Sequence, residues 1–173
     1  MDQLTHNEIT FQKQKFPVVL LLDNITGEAN LGSMFRLADA FGIEKIIFCG
    51  SKPNLNSNRL KRTARNSYRT VTFEFEEDPI RSIKYFKDKG FKSFAIEITS
   101  FSKPMHKIDL NTHDKLLLVA GNERHGISQE VLNLCEKHFH IEMFGKNSSM
   151  NVAQSVGIAL YEITNRFNKF HKK

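Results

Sequence analysis

The sequence predicts an α/β fold, a mostly parallel sheet with helices on both faces, and three observations predict it. Short apolar runs such as Val18–Leu22 and Lys115–Ala120 read as strands buried on both sides. Stretches with apolar residues at helical spacing lie between them. Glycines 42, 50, 90 and 121 punctuate the alternation. Strands separated by helices pair in parallel, because a parallel neighbour needs a crossover connection.

Taken in order, Val18–Leu22 is the first strand. Asn30 is placed as the N-cap of the next helix, with Leu31, Met34, Phe35, Ala38 and Phe41 on its apolar side and Gly42 as its stop. Lys45–Cys49 is the second strand, closed by Gly50, and Thr70–Phe75 the third. Asp78 and Pro79 take the cap and first-turn positions of a helix running to Gly90. Phe91–Ile98 and Lys115–Ala120 are strands, and Ser128 caps a helix through about Lys137. His138–Phe144 is the last strand, and about Met150–Phe170 a long final helix. Residues 1–15 form an N-terminal extension and residues 16–173 a single domain.

Composition narrows the function classes. A chain of 173 residues, 40% hydrophobic with 15 Phe, can pack a core, which excludes global disorder. No apolar run is longer than Val18–Leu22, which falls far short of the ~20 residues that span a membrane. The first eight residues lack the basic and apolar regions of a signal peptide. With two cysteines, Cys49 and Cys135, the expectation is a cytoplasmic protein with reduced thiols. No Gly-x-Gly-x-x-Gly follows a strand, Gly145-Lys146 lacks the rest of a P-loop, and no Gly-x-Ser-x-Gly elbow occurs. Cys135, His138 and His140 match no structural zinc spacing, so no metal is expected.

In a parallel sheet, ligands sit at the carboxyl ends of strands. There the sequence places two polar, glycine-bearing turns, Gly121–Ile127 and Phe144–Asn151, read as lying on neighbouring strand ends. Glycines let a backbone approach a ligand closely, and helix-start amides favour carboxylate or other anionic groups. On the first helix Arg36 falls among Met34, Phe35 and Leu37, where a charge calls for a partner. From Lys45 to Phe73 there is no acidic residue, while Lys45, Lys52, Arg59, Lys61, Arg62, Arg65 and Arg69 are basic. Arg166, Lys169, Lys172 and Lys173 form a second cluster, and the chain carries a net +6. Nucleic acid is the economical partner for such a surface.

Three of these features occur in order: Asn30 and Arg36 in Asn-x-Gly-x-x-x-Arg, then Gly121-Asn-Glu-x-x-Gly126, then Ser149-Met-Asn151 leading into the final helix. Together they resemble the three motifs of the SpoU/TrmH-type RNA 2′-O-methyltransferases of the SPOUT class, over roughly Phe16 to Arg166. The resemblance implies a C-terminal trefoil knot that binds S-adenosyl-L-methionine, and a homodimer whose active site is completed across the interface. It implies Ile96, Glu97, Gly121, Ile141, Met143, Ser149 and Met150 as cofactor contacts. It implies Asn30, Arg36, Glu123, Ser149 and Asn151 as catalytic and structural motif residues. Met150 stands where Leu is commoner, and Arg124-His125 are bulkier and more basic than in many members. With no RNA-binding domain expected before Phe16, the catalytic domain itself would hold RNA, through Arg59, Lys61, Arg62, Arg65 and Arg124.

The chemistry such a site needs is alignment of a ribose 2′-hydroxyl with an activated methyl group, plus help in losing the hydroxyl proton. The resemblance assigns that help to Arg36, as a base or as an electrostatic stabiliser of the developing alkoxide. The leading expectation is a tRNA 2′-O-methyltransferase. An rRNA methyltransferase, and a catalytically silent RNA-binding factor on the same fold, are the alternatives. A metabolite-binding α/β domain without RNA leaves the acid-free basic stretch unexplained.

Overall fold

Even-numbered residues of the first strand enter one apolar cluster and odd-numbered residues another, which is the period-2 geometry of a strand covered on both faces. In the computed structural model, which describes residues 3, 4, 8 and 11–171, that strand is β1 (Phe16–Asp23). The remaining strands are β2 (Ile43–Cys49), β3 (Phe73–Glu76), β4 (Phe91–Ile96), β5 (Lys103–Pro104), β6 (Lys115–Gly121) and β7 (Lys137–His140). The helices are α1 (Glu28–Ala40), α2 (Asn58–Ala64), α3 (Ser67–Thr70), α4 (Pro79–Asp88), α5 (Gln129–Leu134) and α6 (Val152–His171). Signal-peptide and basic-cluster readings that involve residues 1, 2, 5–7, 172 and 173 lie outside the described residues.

All sheet pairings are parallel, in the order β3-β2-β1-β6-β4-β7-β5. Val18, Leu20 and Leu22 of β1, with Leu116, Leu118 and Ala120 of β6, pack under α1 and α6. Val19, Leu21, Leu117 and Val119 pack under α4 and α5. These side chains are essentially inaccessible, and each such burial is worth roughly 1.5–3 kcal/mol, so the β1–β6 pair anchors both layers. The chain steps outward from β1 to β3, crosses to β4, and later returns to fill the gap between β1 and β4 with β6. That reversal of strand order puts the crevice at the carboxyl ends of β6, β4 and β7.

Several local expectations hold. Asp78 caps α4 by accepting from Ile80 N–H at 2.8 Å, with Pro79 in the first turn. Gly42, at φ +56°, follows α1, and a Cβ there would sit 2.1 Å from Gln14 O. Other boundaries move. Thr70 belongs to α3 and the third strand begins at Phe73, because Ser67 and Thr70 close a helical turn over the buried Ser67. The helix after Ser128 stops at Leu134, since Glu136 N–H bonds Ser93 O of β4 and draws Lys137 into β7. The last strand ends at His140 and residues 141–151 form a loop into α6. β7 and β6 are separated by β4, so the two polar turns do not arise on neighbouring strands.

Candidate active site

Asn30 is not the N-cap of α1. The helix begins three residues earlier than that cap implies, with Gly27 at the cap position and no side-chain cap of its own. The reason is a carboxylate supplied from another loop. Glu123, in the turn after β6, accepts from Gly27 N–H at 3.0 Å, from Thr26 N–H at 3.5 Å and from Asn30 Nδ2 at 2.8 Å. It thereby satisfies the amide at the cap position of α1 and the one before it, and lies on the positive end of the helix dipole. A Cβ on Gly27 would lie 2.5 Å from Glu123 Oε1, so glycine is what lets the carboxylate in. Burial works to raise the Glu123 carboxyl, but the bonds from Asn30, Gly27 and Thr26 outweigh it and hold it below the usual glutamate range.

The same Asn30 faces the third motif. Its Oδ1 accepts from Asn151 Nδ2 at 3.0 Å. Asn151 Oδ1 in turn accepts from Ala153 N–H at 2.9 Å and Gln154 N–H at 3.3 Å, capping α6. One chain of hydrogen bonds thus joins Glu123, Asn30 and Asn151, three motifs far apart in sequence.

The two ends of this chain, Glu123 and Asn151, stand in one wall of a cleft of about 490 Å³. Ile96, Glu97, Gly121, Ile141, Met143, Ser149 and Met150 all line it, as do Glu123, Arg124 and Asn151. The volume falls in the small-molecule range, and apolar Ile96, Ile141, Met143 and Met150 alternate with polar loop groups, a lining suited to a nucleoside with a thioether-type tail. Glu97 braces the far side: its Oε1 accepts from Ile98 N–H at 3.0 Å and its Oε2 from Ile127 N–H at 3.2 Å. A Cβ on Gly121 would lie 2.2 Å from the carbonyl carbon of Gly126, so the turn can fold back on its strand only through a glycine there.

The lining also contains residues that the sequence reading did not single out. Asn122 donates from Nδ2 to Asn24 O at 2.7 Å, and its Oδ1 accepts from Arg124 N–H and His125 N–H, shaping the turn between Gly121 and Gly126. Its position inside the quoted Gly121-Asn-Glu run was the available signal. His140, Ile98, Val152 and Ser155 reach the cleft through topology and carry no local signature.

Arg36 does not line this cleft. Rather than sitting on an apolar face, it is exposed, with no hydrogen bond or ion pair among the described residues. The apolar side of α1 is taken by Leu31, Met34, Phe35 and Ala38, and Arg36 shares a stripe with Gly32 one turn back. Gly32 is where α1 meets α2: a Cβ there would lie 2.6 Å from Leu60 O. Arg36 therefore emerges beside the basic helix that carries Arg59, Lys61, Arg62 and Arg65. Arg59, Arg62 and Arg65 are exposed, Lys61 is half-buried, and Arg65 closes α2 at φ +53°. Lys45 is not part of this free surface, being paired with Glu74 at 2.7 Å. Arg166 likewise bonds Glu162 and His106 O, which leaves Lys169 as the exposed cation of the described C-terminal cluster.

His138 and His140 are engaged as well. His138 Nδ1 lies 3.0 Å from Thr99 Oγ1 and Nε2 3.0 Å from Leu132 O, while His140 Nδ1 lies 2.9 Å from Ser102 Oγ. No grouping of His, Cys, Asp and Glu among the described residues could hold a metal ion, and no described helix is long and apolar enough to cross a membrane.

Residues 17–161 match the model of the SpoU rRNA Methylase family. A tRNA (guanosine(18)-2′-O)-methyltransferase of Aquifex aeolicus is 28% identical over 87% of this chain and 70% of its own length. A 23S rRNA (guanosine-2′-O-)-methyltransferase, RlmB, of Neisseria meningitidis is 30% identical over 84% of this chain and 57% of its own. Among solved structures, an AdoMet-bound rRNA methyltransferase from Sinorhizobium meliloti superposes with a TM-score of 0.80 at 25% identity, over 90% of this chain and 58% of that one.

Proposed function

The chain belongs to the SpoU rRNA Methylase family, and on that premise we propose that it is an S-adenosylmethionine-dependent RNA 2′-O-ribose methyltransferase acting on tRNA. The observation that carries this reading is the convergence of all seven expected cofactor residues on one cleft, walled in part by Glu123 and Asn151, which Asn30 ties together. The tRNA-modifying relative covers more of its own length than the rRNA-modifying ones, which favours tRNA; rRNA is the second reading. The intact motif side chains weigh against a silent binding factor, since a pure binder has no use for them.

The cofactor would be held by Ile96, Ile141, Met143 and Met150 around its apolar parts and by the backbone of Gly121 and Ser149. When bound it supplies a sulfonium methyl group. That methyl would pass to the ribose 2′-oxygen, the donor leaving as a neutral thioether and the hydroxyl proton passing to solvent. The chain's own task is to align that hydroxyl and stabilise the charge that develops on it. Glu123 and Asn151 are locked by their bonds and act as positioning residues, while the guanidinium of Arg36 is the free charge suited to the developing alkoxide.

Arg36 has to reach a cleft that it does not line, and a second copy of the chain supplies the route. Ile158 and Tyr161 on α6 are exposed, Tyr161 by 61%, on a helix that packs against Leu37 and Phe41 of α1. Covering this face with the same face of a second protomer would bring α1 of one copy toward the other. We thus propose a homodimer with Arg36 serving the partner's cleft, a C-terminal segment threaded as a trefoil knot, and action in the cytoplasm.

The test incubates the protein with S-adenosylmethionine carrying a labelled methyl group and with bulk tRNA or rRNA, and maps 2′-O-methylated nucleotides by mass spectrometry. Methylation of tRNA is expected, and of rRNA under the second reading; label in neither overturns both. Arg36→Ala should abolish transfer with cofactor affinity changed by less than about twofold. Mixing Arg36→Ala with Asn151→Ala protomers should restore partial activity, and a dead mixture would count against the shared site.

A further inference from the structure

Past the carboxyl end of β4 the chain makes a tight turn at residues 99–102. Thr99 N–H donates to Ser102 Oγ at 3.0 Å, and the Ser102 hydroxyl donates back to Thr99 O at 2.8 Å. Two histidines of β7 hold this turn. His138 Nε2 faces the Leu132 carbonyl, which can only accept, so in the neutral ring Nδ1 accepts from the Thr99 hydroxyl. The Ser102 proton is committed to Thr99 O, so His140 Nδ1–H donates to Ser102 Oγ. A turn bonded this way holds its backbone in a fixed geometry, and at its tip Phe101 is 83% exposed.

Phe101 borders a depression lined by Thr99, Arg124, His125, Leu132 and His138. Glu97, Arg124 and Gly126 line both this depression and the cofactor cleft. A Cβ on Gly126 would sit 2.5 Å from Glu97 Oε2, so the two spaces meet where Gly126 lies against the Glu97 carboxylate. The Glu97 carboxylate accepts two backbone N–H bonds, which fix it between the two spaces. Around Phe101 the surface is polar or cationic, with Ser100, Arg124, His125, Gln129 and Asn133, and Ile98 is the other exposed apolar side chain.

We propose that this depression takes an unpaired nucleobase of the substrate RNA, stacked on Phe101 with Arg124 beside its phosphate. The proposal rests on the functional reading above and adds a second RNA contact beside the cofactor cleft. A lone exposed aromatic beside one guanidinium and several hydrogen-bonding groups is the composition of a base-stacking platform. An apolar protein partner would need a contiguous apolar patch, which Phe101 and Ile98 alone do not make.

The chain has no tryptophan, so Phe101→Trp installs a single indole at the site, excited selectively over the three tyrosines. Bulk tRNA, or ribosomal RNA under the second functional reading, should quench it saturably, with the same Kd that a gel shift gives. Heparin, a polyanion without bases, should leave the emission unchanged. Phe101→Ala should weaken binding of that RNA about tenfold and leave the affinity for S-adenosylmethionine within about twofold, while Phe101→Tyr restores RNA binding. Equal RNA affinity in the alanine variant, or no quenching while the RNA binds, overturns the proposal. So does a change in sedimentation with RNA affinity intact, which would make Phe101 an interface between copies. If the unaltered protein binds neither RNA, the functional reading itself falls and the base site goes with it.

Discussion

Asn30 donates through Nδ2 to Glu123 Oε1 at 2.8 Å across 93 residues of sequence, and this bond joins the start of α1 to the turn after β6. Through its other amide atom Asn30 accepts from Asn151, so a single side chain registers three loops around the cleft. The arrangement explains why the residue at this position bears an amide: only a group that both donates and accepts can link a carboxylate to a second amide.

Glu123→Ala leaves the amides of Thr26 and Gly27 and the side chain of Asn30 without their acceptor. Loss of a helix cap costs about 0.5–2 kcal/mol, so the thermal midpoint should fall by roughly 1–8 °C. Because these bonds depress the Glu123 carboxyl, its stabilisation is present at neutral pH and lost as the pH falls through the folded-state value. Thermal melts of the wild type and of Glu123→Gln between pH 7 and 3 should therefore differ at neutral pH and draw together as the pH falls past the lowered Glu123 value. A midpoint difference independent of pH would remove the charged cap from the account.

Local chemistry explains which parts of this fold were legible in sequence. β1 and β6 read correctly because their burial on both faces leaves uninterrupted apolar runs, and α4 because Asp78 and Pro79 act within one turn. The start of α1 was misplaced because its cap comes from Glu123, and no short-range pattern encodes a partner so distant. Arg36 was misjudged for a related reason: its neighbours in sequence are apolar, but its neighbours on the helix surface are Gly32 and the basic α2. The cleft residues carried over by motif resemblance all converged, whereas His140 and Ser155 arrive through topology alone.

Gly32→Ala tests the seam between α1 and α2. The added Cβ would meet Leu60 O at 2.6 Å and Thr63 Cβ at 2.8 Å, and a backbone carbonyl cannot swing aside as a side-chain tip can. Overpacking of this kind costs about 1–3 kcal/mol and should displace α2 with its arginines. The expected result is a lower melting midpoint and weaker RNA binding, with cofactor affinity unchanged by calorimetry. Unchanged stability would show that the seam has slack.

Burial pushes the Cys49 and Cys135 thiols up to about 12, so both stay protonated at neutral pH. The thiolate is the reactive species, and neither thiol should serve as a nucleophile. Iodoacetamide at pH 8 should label the folded protein far more slowly than the protein in urea. Rapid labelling of the native chain, read by intact mass, would contradict this.

Arg62 and Arg65 project from α2 into solvent on a segment without acidic residues, next to Arg36 on α1. If RNA phosphates lie along this helix, each contact releases condensed counterions and contributes about 0.7–0.9 to the slope of log K against log salt. The double variant Arg62→Ala, Arg65→Ala should then weaken tRNA binding and reduce the slope by roughly 1–2. Its cofactor affinity should match the wild type, because neither arginine lines the cleft. A slope equal to the wild type's would move the phosphate track off α2. The Gly32 seam would then serve stability alone.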